Sequence, residues 1–202
     1  MTYPHATMPP PKAVVIGASA GGVDALLRIV AALPEDFSAA VLIVLHRPPG
    51  QEPALASLAS LLGARCRLPV DDAWDRQPIL PGRLLLAPPD YHLLVDPGPV
   101  ASLSVDAPVL FARPAIDPMF ETAAAVYRGG LLGVVLSGAN EDGTRGAVAV
   151  RRGGGWLWVQ DPAEAQSPAM PRGALVGAGA DEVLTLAQMC ERFQAESFRR
   201  SP

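Results

Sequence analysis

Apolar residues in this chain fall into short continuous runs, separated by stretches with helical spacing. Lys12 to Gly17, built on Val14-Val15-Ile16, and Ala40 to Leu45 read as strands buried on both faces, because neither run alternates with polar residues. Gly22 to Leu33 places Val23, Leu26, Leu27 and Val30 on one helical face. Ala54 to Leu62 predicts a second helix and Arg65 to Val70 a short strand. From Pro78 to Val105 the pattern changes. Arg83 to Ala87, Tyr91 to Val95 and Val100 to Val105 are short β runs, and Asp96-Pro97-Gly98-Pro99 joins the last two into an expected antiparallel hairpin. Asp117 to Arg128 returns to helical spacing. Leu131 to Ser137 is another buried strand, followed by a helix from Gly143 to Arg152 and a strand from Trp156 to Gln160. Asp161 to Pro171 is expected to be a loop, Val183 to Thr185 a strand, and Leu186 to Phe198 a terminal helix. The alternation predicts an α/β fold: a doubly wound, three-layer αβα arrangement with a mostly parallel sheet and an antiparallel hairpin. Residues 1–11 are expected to form a disordered leader and residues 12–202 a single domain.

Half of the 202 residues are hydrophobic, which is enough for one sizeable core. The net charge of −4 lacks the basic footprint of a nucleic-acid binder. Lys12 is the only lysine, so mechanisms that need a lysine further along the chain are excluded. Cys66 and Cys190 supply neither a disulfide framework nor a metal motif, and no metal or cofactor is expected. The apolar run after Lys12 breaks at Gly17, too early for a signal sequence or a membrane span. A cytoplasmic protein without membrane insertion is the expectation.

Three residues with chemical potential each follow a predicted strand. Ser19 lies in the turn Gly17-Ala18-Ser19-Ala20-Gly21-Gly22, His46 ends the second strand, and Asp142 follows the strand that ends at Ser137. In doubly wound sheets, ligands bind beyond the carboxyl ends of the strands. A hydroxyl, an imidazole and a carboxylate are the types that acyl transfer needs: nucleophile, base and orienting acid. Each also has a plain structural reading. Ser19 and Asp142 would serve as helix caps, and His46 as a loop residue. His5 sits in the leader and His92 inside a predicted hairpin strand, so His46 is the best-placed base. A dinucleotide site fits poorly, since the glycines lack G-x-G-x-x-G spacing. Gly17-Ala18-Ser19-Ala20-Gly21 has the spacing of a nucleophile elbow, but the order serine, histidine, aspartate is not that of α/β-hydrolases.

From about Lys12 to Phe193 the sequence resembles the catalytic domain of the CheB chemotaxis protein-glutamate methylesterases. The resemblance rests on ordered segments: Val15 to Gly22, His46-Arg47-Pro48-Pro49-Gly50, Leu86 to Leu93, Arg113 to Phe120, Leu136 to Gly143, and Met170-Pro171-Arg172-Gly173-Ala174. It implies a serine hydrolase acting on glutamyl methyl esters in the cytoplasmic helices of methyl-accepting chemoreceptors, and by the same chemistry on receptor glutamines. The nucleophile, base and orienting acid would fall on Ser19, His46 and Asp142. Ala20, Gly21, Ala139 and Met170 would form the oxyanion site and pocket. Ala20, Leu45 and Gly138-Ala139-Asn140 depart from residues common in the family, so reaction type is implied more firmly than substrate. An esterase acting on another ester, or a binding module that keeps the fold without turnover, are the alternatives. The family's receiver domain is not expected within the eleven residues before Lys12, and surface arginines such as Arg113, Arg128 and Arg145 are candidates for meeting an acidic receptor.

Overall fold

The computed structural model describes residues 8–46 and 58–200. His5, the first part of the leader, the loop Arg47 to Gly50 and residues 54–57 of the expected second helix lie outside them. The chain runs β1 (Ala13–Ala18), α1 (Gly22–Ala32), β2 (Ala40–Leu45), α2 (Leu58–Gly63), β3 (Val70–Asp72), β4 (Gln77–Pro78) and β5 (Leu84–Leu86). It continues through β6 (His92–Asp96), β7 (Val100–Ser104), α3 (Ile116–Tyr127), β8 (Leu131–Val135), α4 (Thr144–Arg152) and β9 (Trp156–Gln160). The last elements are α5 (Ala169–Ala178), β10 (Glu182–Leu184) and α6 (Leu186–Phe193).

Seven strands form one parallel sheet in the order β10-β9-β8-β1-β2-β5-β3. β1, β2 and β8 are buried throughout, as unbroken apolar runs require of strands between two helical layers. Alternate residues of β1 feed opposite cores. Val14 and Ile16 pack with α1, α2 and α6 through Leu26, Ile29, Leu62 and Met189. Ala13 and Val15 face the side of α3, α4 and α5, which contribute Met119, Phe120, Val150 and Ala174. A second sheet, β4-β7-β6, is antiparallel and adds Leu93, Val95 and Ala101 to that core. The expected architecture is therefore the observed one.

The chain winds outward from β1 through β2 to β5 and β3, then returns to the other flank of β1 with β8. This reversal makes the carboxyl ends of β1 and β8 the topological switch point, where a crevice forms between diverging connections.

Three local expectations need correction. Residues 65–69 form a turn, and the strand is Val70–Asp72, because the Arg65 and Cys66 N–H groups both donate to the Leu62 carbonyl and Pro69 has no N–H for a ladder. The expected loop up to Pro171 already contains the first turn of α5. Pro171 is tolerated there because the first N–H groups of a helix have no intrahelical partner. The terminal helix stops at Phe193, and a 3₁₀ turn at Glu196–Phe198 follows. That turn returns the chain to the start of β2: Ser38 N–H donates to the Phe198 carbonyl at 2.8 Å, and Arg200 N–H to the Asp36 carbonyl at 2.8 Å.

Phe198 is thereby stacked on Phe37 with centroids 5.6 Å apart, against Phe193 and Trp158. Phe198→Ala is expected to lower unfolding free energy by about 3 kcal/mol in urea titrations, the scale of a large core truncation. A loss below about 1 kcal/mol would mean that the returning segment adds little to this core.

Candidate active site

Asp142 has no solvent exposure, and its carboxylate is surrounded by donors. Oδ2 accepts from Ile116 N–H at 2.7 Å and meets His46 Nε2 at 2.7 Å. Oδ1 accepts from Asp117 N–H at 3.0 Å and from Gly143 N–H at 2.9 Å. Ile116 and Asp117 open α3, so the carboxylate sits on the positive end of a helix that it caps from outside. The plain cap reading of Asp142 is thus satisfied, but on α3 instead of on α4, the helix it precedes. α4 is capped in exchange by Asp117, whose Oδ1 accepts from Gly146 N–H at 2.8 Å while Oδ2 takes Arg145 Nε at 3.0 Å.

The two buried carboxylates differ in charge balance. Burial alone would raise the Asp142 carboxyl, but the hydrogen bonds from His46, Ile116 and Asp117 outweigh it and hold the group below its ordinary value. Burial pushes Asp117 up; the Gly146 N–H and Arg145 oppose this, the Asp142 charge adds to it, and the balance stays upward. A carboxylate held ionised can only accept, so the His46 proton must lie on Nε2. Nδ1 is left as the lone pair able to take a proton. This reverses the nitrogen assignment of the serine proteases but keeps the logic of an oriented base.

Ser19 leaves β1 at the same sheet edge. The His46 N–H donates to the Ala18 carbonyl at 3.0 Å, so His46 and the Ser19 turn are tied through the β1–β2 ladder. Among the described residues, no hydrogen bond joins the Ser19 and His46 side chains. Gly21 holds φ 76°, which turns the chain into α1. Among the described residues, the Ala20, Gly21 and Ala139 N–H groups are bound to no backbone acceptor, and they lie on the two connections that flank the switch point. Met170 is fully buried behind Gly138, donating its N–H to the Gly138 carbonyl at 2.9 Å. Arg145, on the first turn of α4, pairs with Asp117 of α3, while Arg128 lies at the far end of α3 from Asp142.

Several supporting residues escape a reading of the sequence. Ser137 Oγ donates to the Ala20 carbonyl at 2.7 Å and accepts from Ser167 N–H at 2.9 Å, so one hydroxyl pins the Ser19 turn to the α5 approach. Gln160 Oε1 accepts from Ser137 N–H at 2.8 Å. A polar residue closing the apolar run Trp156 to Val159 was the available signal. His92 is buried as well; Nδ1 accepts from Ala115 N–H at 3.1 Å and Nε2 donates to the Ala107 carbonyl at 3.2 Å. It braces the entrance to α3. Among the described residues, no group of three His, Cys, Asp or Glu side chains is placed to hold a metal ion, and no helix is long and apolar enough to cross a membrane.

Comparison with known proteins gives one answer. The family described as CheB methylesterase matches residues 14–193. A Leptospira interrogans relative is 38% identical over 185 residues, spanning 90% of this chain and 93% of its own length. The protein-glutamate methylesterase/protein-glutamine glutaminase 2 of Caulobacter vibrioides is 38% identical over 199 residues, and the chain spans 56% of that longer relative. The crystal structure of the Thermotoga maritima CheB methylesterase catalytic domain superposes with TM-score 0.85 at 33% identity, covering 91% of this chain and 97% of that one.

Because its folded value is lowered, Asp142 contributes stability in full above the unfolded carboxylate value near about pH 4, and the contribution is lost as pH falls through the folded value. Asp142→Asn turns one acceptor position into a donor facing other donors, and is expected to cost about 2 kcal/mol at neutral pH. In urea unfolding at several pH values, the gap between variant and parent should shrink below about pH 4. A pH-independent gap would contradict the assigned charge state.

Proposed function

The chain belongs to the CheB methylesterase family, and on that premise we propose that it hydrolyses glutamyl methyl esters of proteins through a Ser19–His46–Asp142 triad. The 2.7 Å bond between His46 and the fully buried Asp142 carries this reading, because it leaves an oriented imidazole lone pair at the sheet edge where Ser19 emerges. His46 Nδ1 takes the Ser19 Oγ proton as the oxygen attacks the ester carbonyl. The tetrahedral oxyanion is met by the N–H groups of Ala20 and Gly21, joined by Ala139, donors whose counterparts elsewhere are worth about 3 kcal/mol each. Collapse expels methanol, which leaves with the proton from His46. Water, deprotonated by the same nitrogen, then attacks the acyl-enzyme and releases the glutamate and Ser19. Asp142 stays ionised throughout, fixing the tautomer and stabilising the imidazolium.

The same steps with ammonia as leaving group would deamidate a glutamine, in keeping with the double name of the Caulobacter relative. The substrates proposed are the cytoplasmic helices of methyl-accepting chemoreceptors, reached by a protein acting in the cytoplasm as a single catalytic domain from about Lys12 onward. The chain spans about half the length of some curated relatives, so activity is proposed for this catalytic part.

A fluorophosphonate should label the protein stoichiometrically at Ser19, and labelling should vanish in Ser19→Ala and His46→Ala. Methanol release from methylated receptor should fall about 10⁶-fold in Ser19→Ala, as when a subtilisin triad loses its serine. Labelling elsewhere, or turnover that survives the substitution, would refute the nucleophile; a protein that folds, binds receptor and takes no label would instead be a module without turnover.

A further inference from the structure

The connection from β7 to α3 carries a feature that catalysis does not use. Val109 and Ala112 exchange two backbone hydrogen bonds, of 3.0 and 2.9 Å, closing a two-residue turn at Leu110-Phe111. Both central residues hold positive φ, 47° and 65°. Such turns ordinarily take Asn and Gly, because a bulky side chain is strained in the left-handed region. Here they carry leucine and phenylalanine, and Phe111 is 99% exposed. Val105, on the same connection, is exposed too, as is Tyr91 at the start of β6.

This turn is braced. His92 holds the Ala107 carbonyl from below, and Arg113 Nη1 donates to the Val105 and Asp106 carbonyls, both at 3.1 Å. A strained backbone held by fixed supports, with a phenyl ring kept in water, fits a surface kept for contact.

We propose that the Leu110-Phe111 tip is a docking wedge for the protein substrate, inserting into an apolar groove between packed helices beside the glutamyl ester. The inference rests on the methylesterase reading above. From Phe111 to Ile116, whose N–H touches Asp142, five residues of chain span at most about 18 Å. A protein partner covers about 800 Å² on each side, a patch of roughly 16 Å radius. The footprint of a folded substrate centred on the site is therefore of the same size as the greatest separation the chain allows between site and tip. Aromatic anchors of this kind carry a disproportionate share of interface affinity. Arg113 flanks the tip with positive charge, complementary to a segment bearing glutamates.

The experiment uses the full chain, Phe111→Ser and Phe111→Gly. Phe111→Gly suits the left-handed backbone, so its unfolding midpoint should be no lower than the parent's, separating loss of the ring from loss of the fold. Binding to a methylated chemoreceptor cytoplasmic fragment, measured by calorimetry, should weaken at least tenfold in both variants. The ratio of kcat/KM for that fragment to kcat/KM for p-nitrophenyl acetate should fall by a similar factor. Receptor binding equal to the parent's in both variants overturns the proposal, as does absence of receptor binding by the parent. A Phe111-dependent dimer in sedimentation, with receptor affinity unchanged, also overturns it and assigns the tip to a second copy of this chain. Phe111-dependent receptor binding without any ester turnover would uphold the wedge while refuting the methylesterase reading.

Discussion

Most of this site depends on one buried carboxylate that must be satisfied without water. Asp142 meets this demand by drawing in the N-terminus of α3, its own neighbour Gly143 and the His46 ring. Each partner comes from a different connection, so the requirement to pair a buried charge joins β2, β8 and α3 at one point. Removing the charge would leave several donors unsatisfied at once. The reciprocal cap from Asp117 to α4 locks the second helix into the same joint.

This joint requires backbones to approach more closely than side chains allow. A Cβ at Gly17 would lie 2.5 Å from Ile116 Cγ2, and one at Gly146 would lie 2.4 Å from Phe120 Cβ. These two glycines seat the start of α3 against β1 and against α4, where the Ile116 and Asp117 amides can point at Asp142. Ser137 and Gln160 do the equivalent service on the Ser19 side. The proposed chemistry rests on three side chains; their placing rests on close packing and on hydrogen bonds to backbone.

Much of the fold was legible beforehand because strands buried on both faces leave an unmistakable record. β2 and β9 have the expected limits, and β1, α1, α3, β8 and α4 lie within a residue or two of theirs. Two of the three elements that differ from expectation do so at a proline. Pro171 occupies the first turn of α5 inside the expected loop, and Pro69 interrupts the expected strand over 65–70 just before the observed one begins. In both cases the deciding fact is which N–H needs a partner, and only the neighbouring chain settles that.

The sequence by itself determined the alternation of elements, the parallel sheet, and the placing of Ser19, His46 and Asp142 at strand ends, since each follows from local apolar periodicity and from where it stops. It also carried the ordered segments of the CheB methylesterase family. Tertiary structure alone decided that Asp142 caps α3 instead of its own helix, that His46 presents Nε2 to it, and that His92 is a brace. It also decided that Phe111 stands in solvent on a strained turn. Those facts depend on distances between residues far apart in the chain, and local pattern holds no record of such distances.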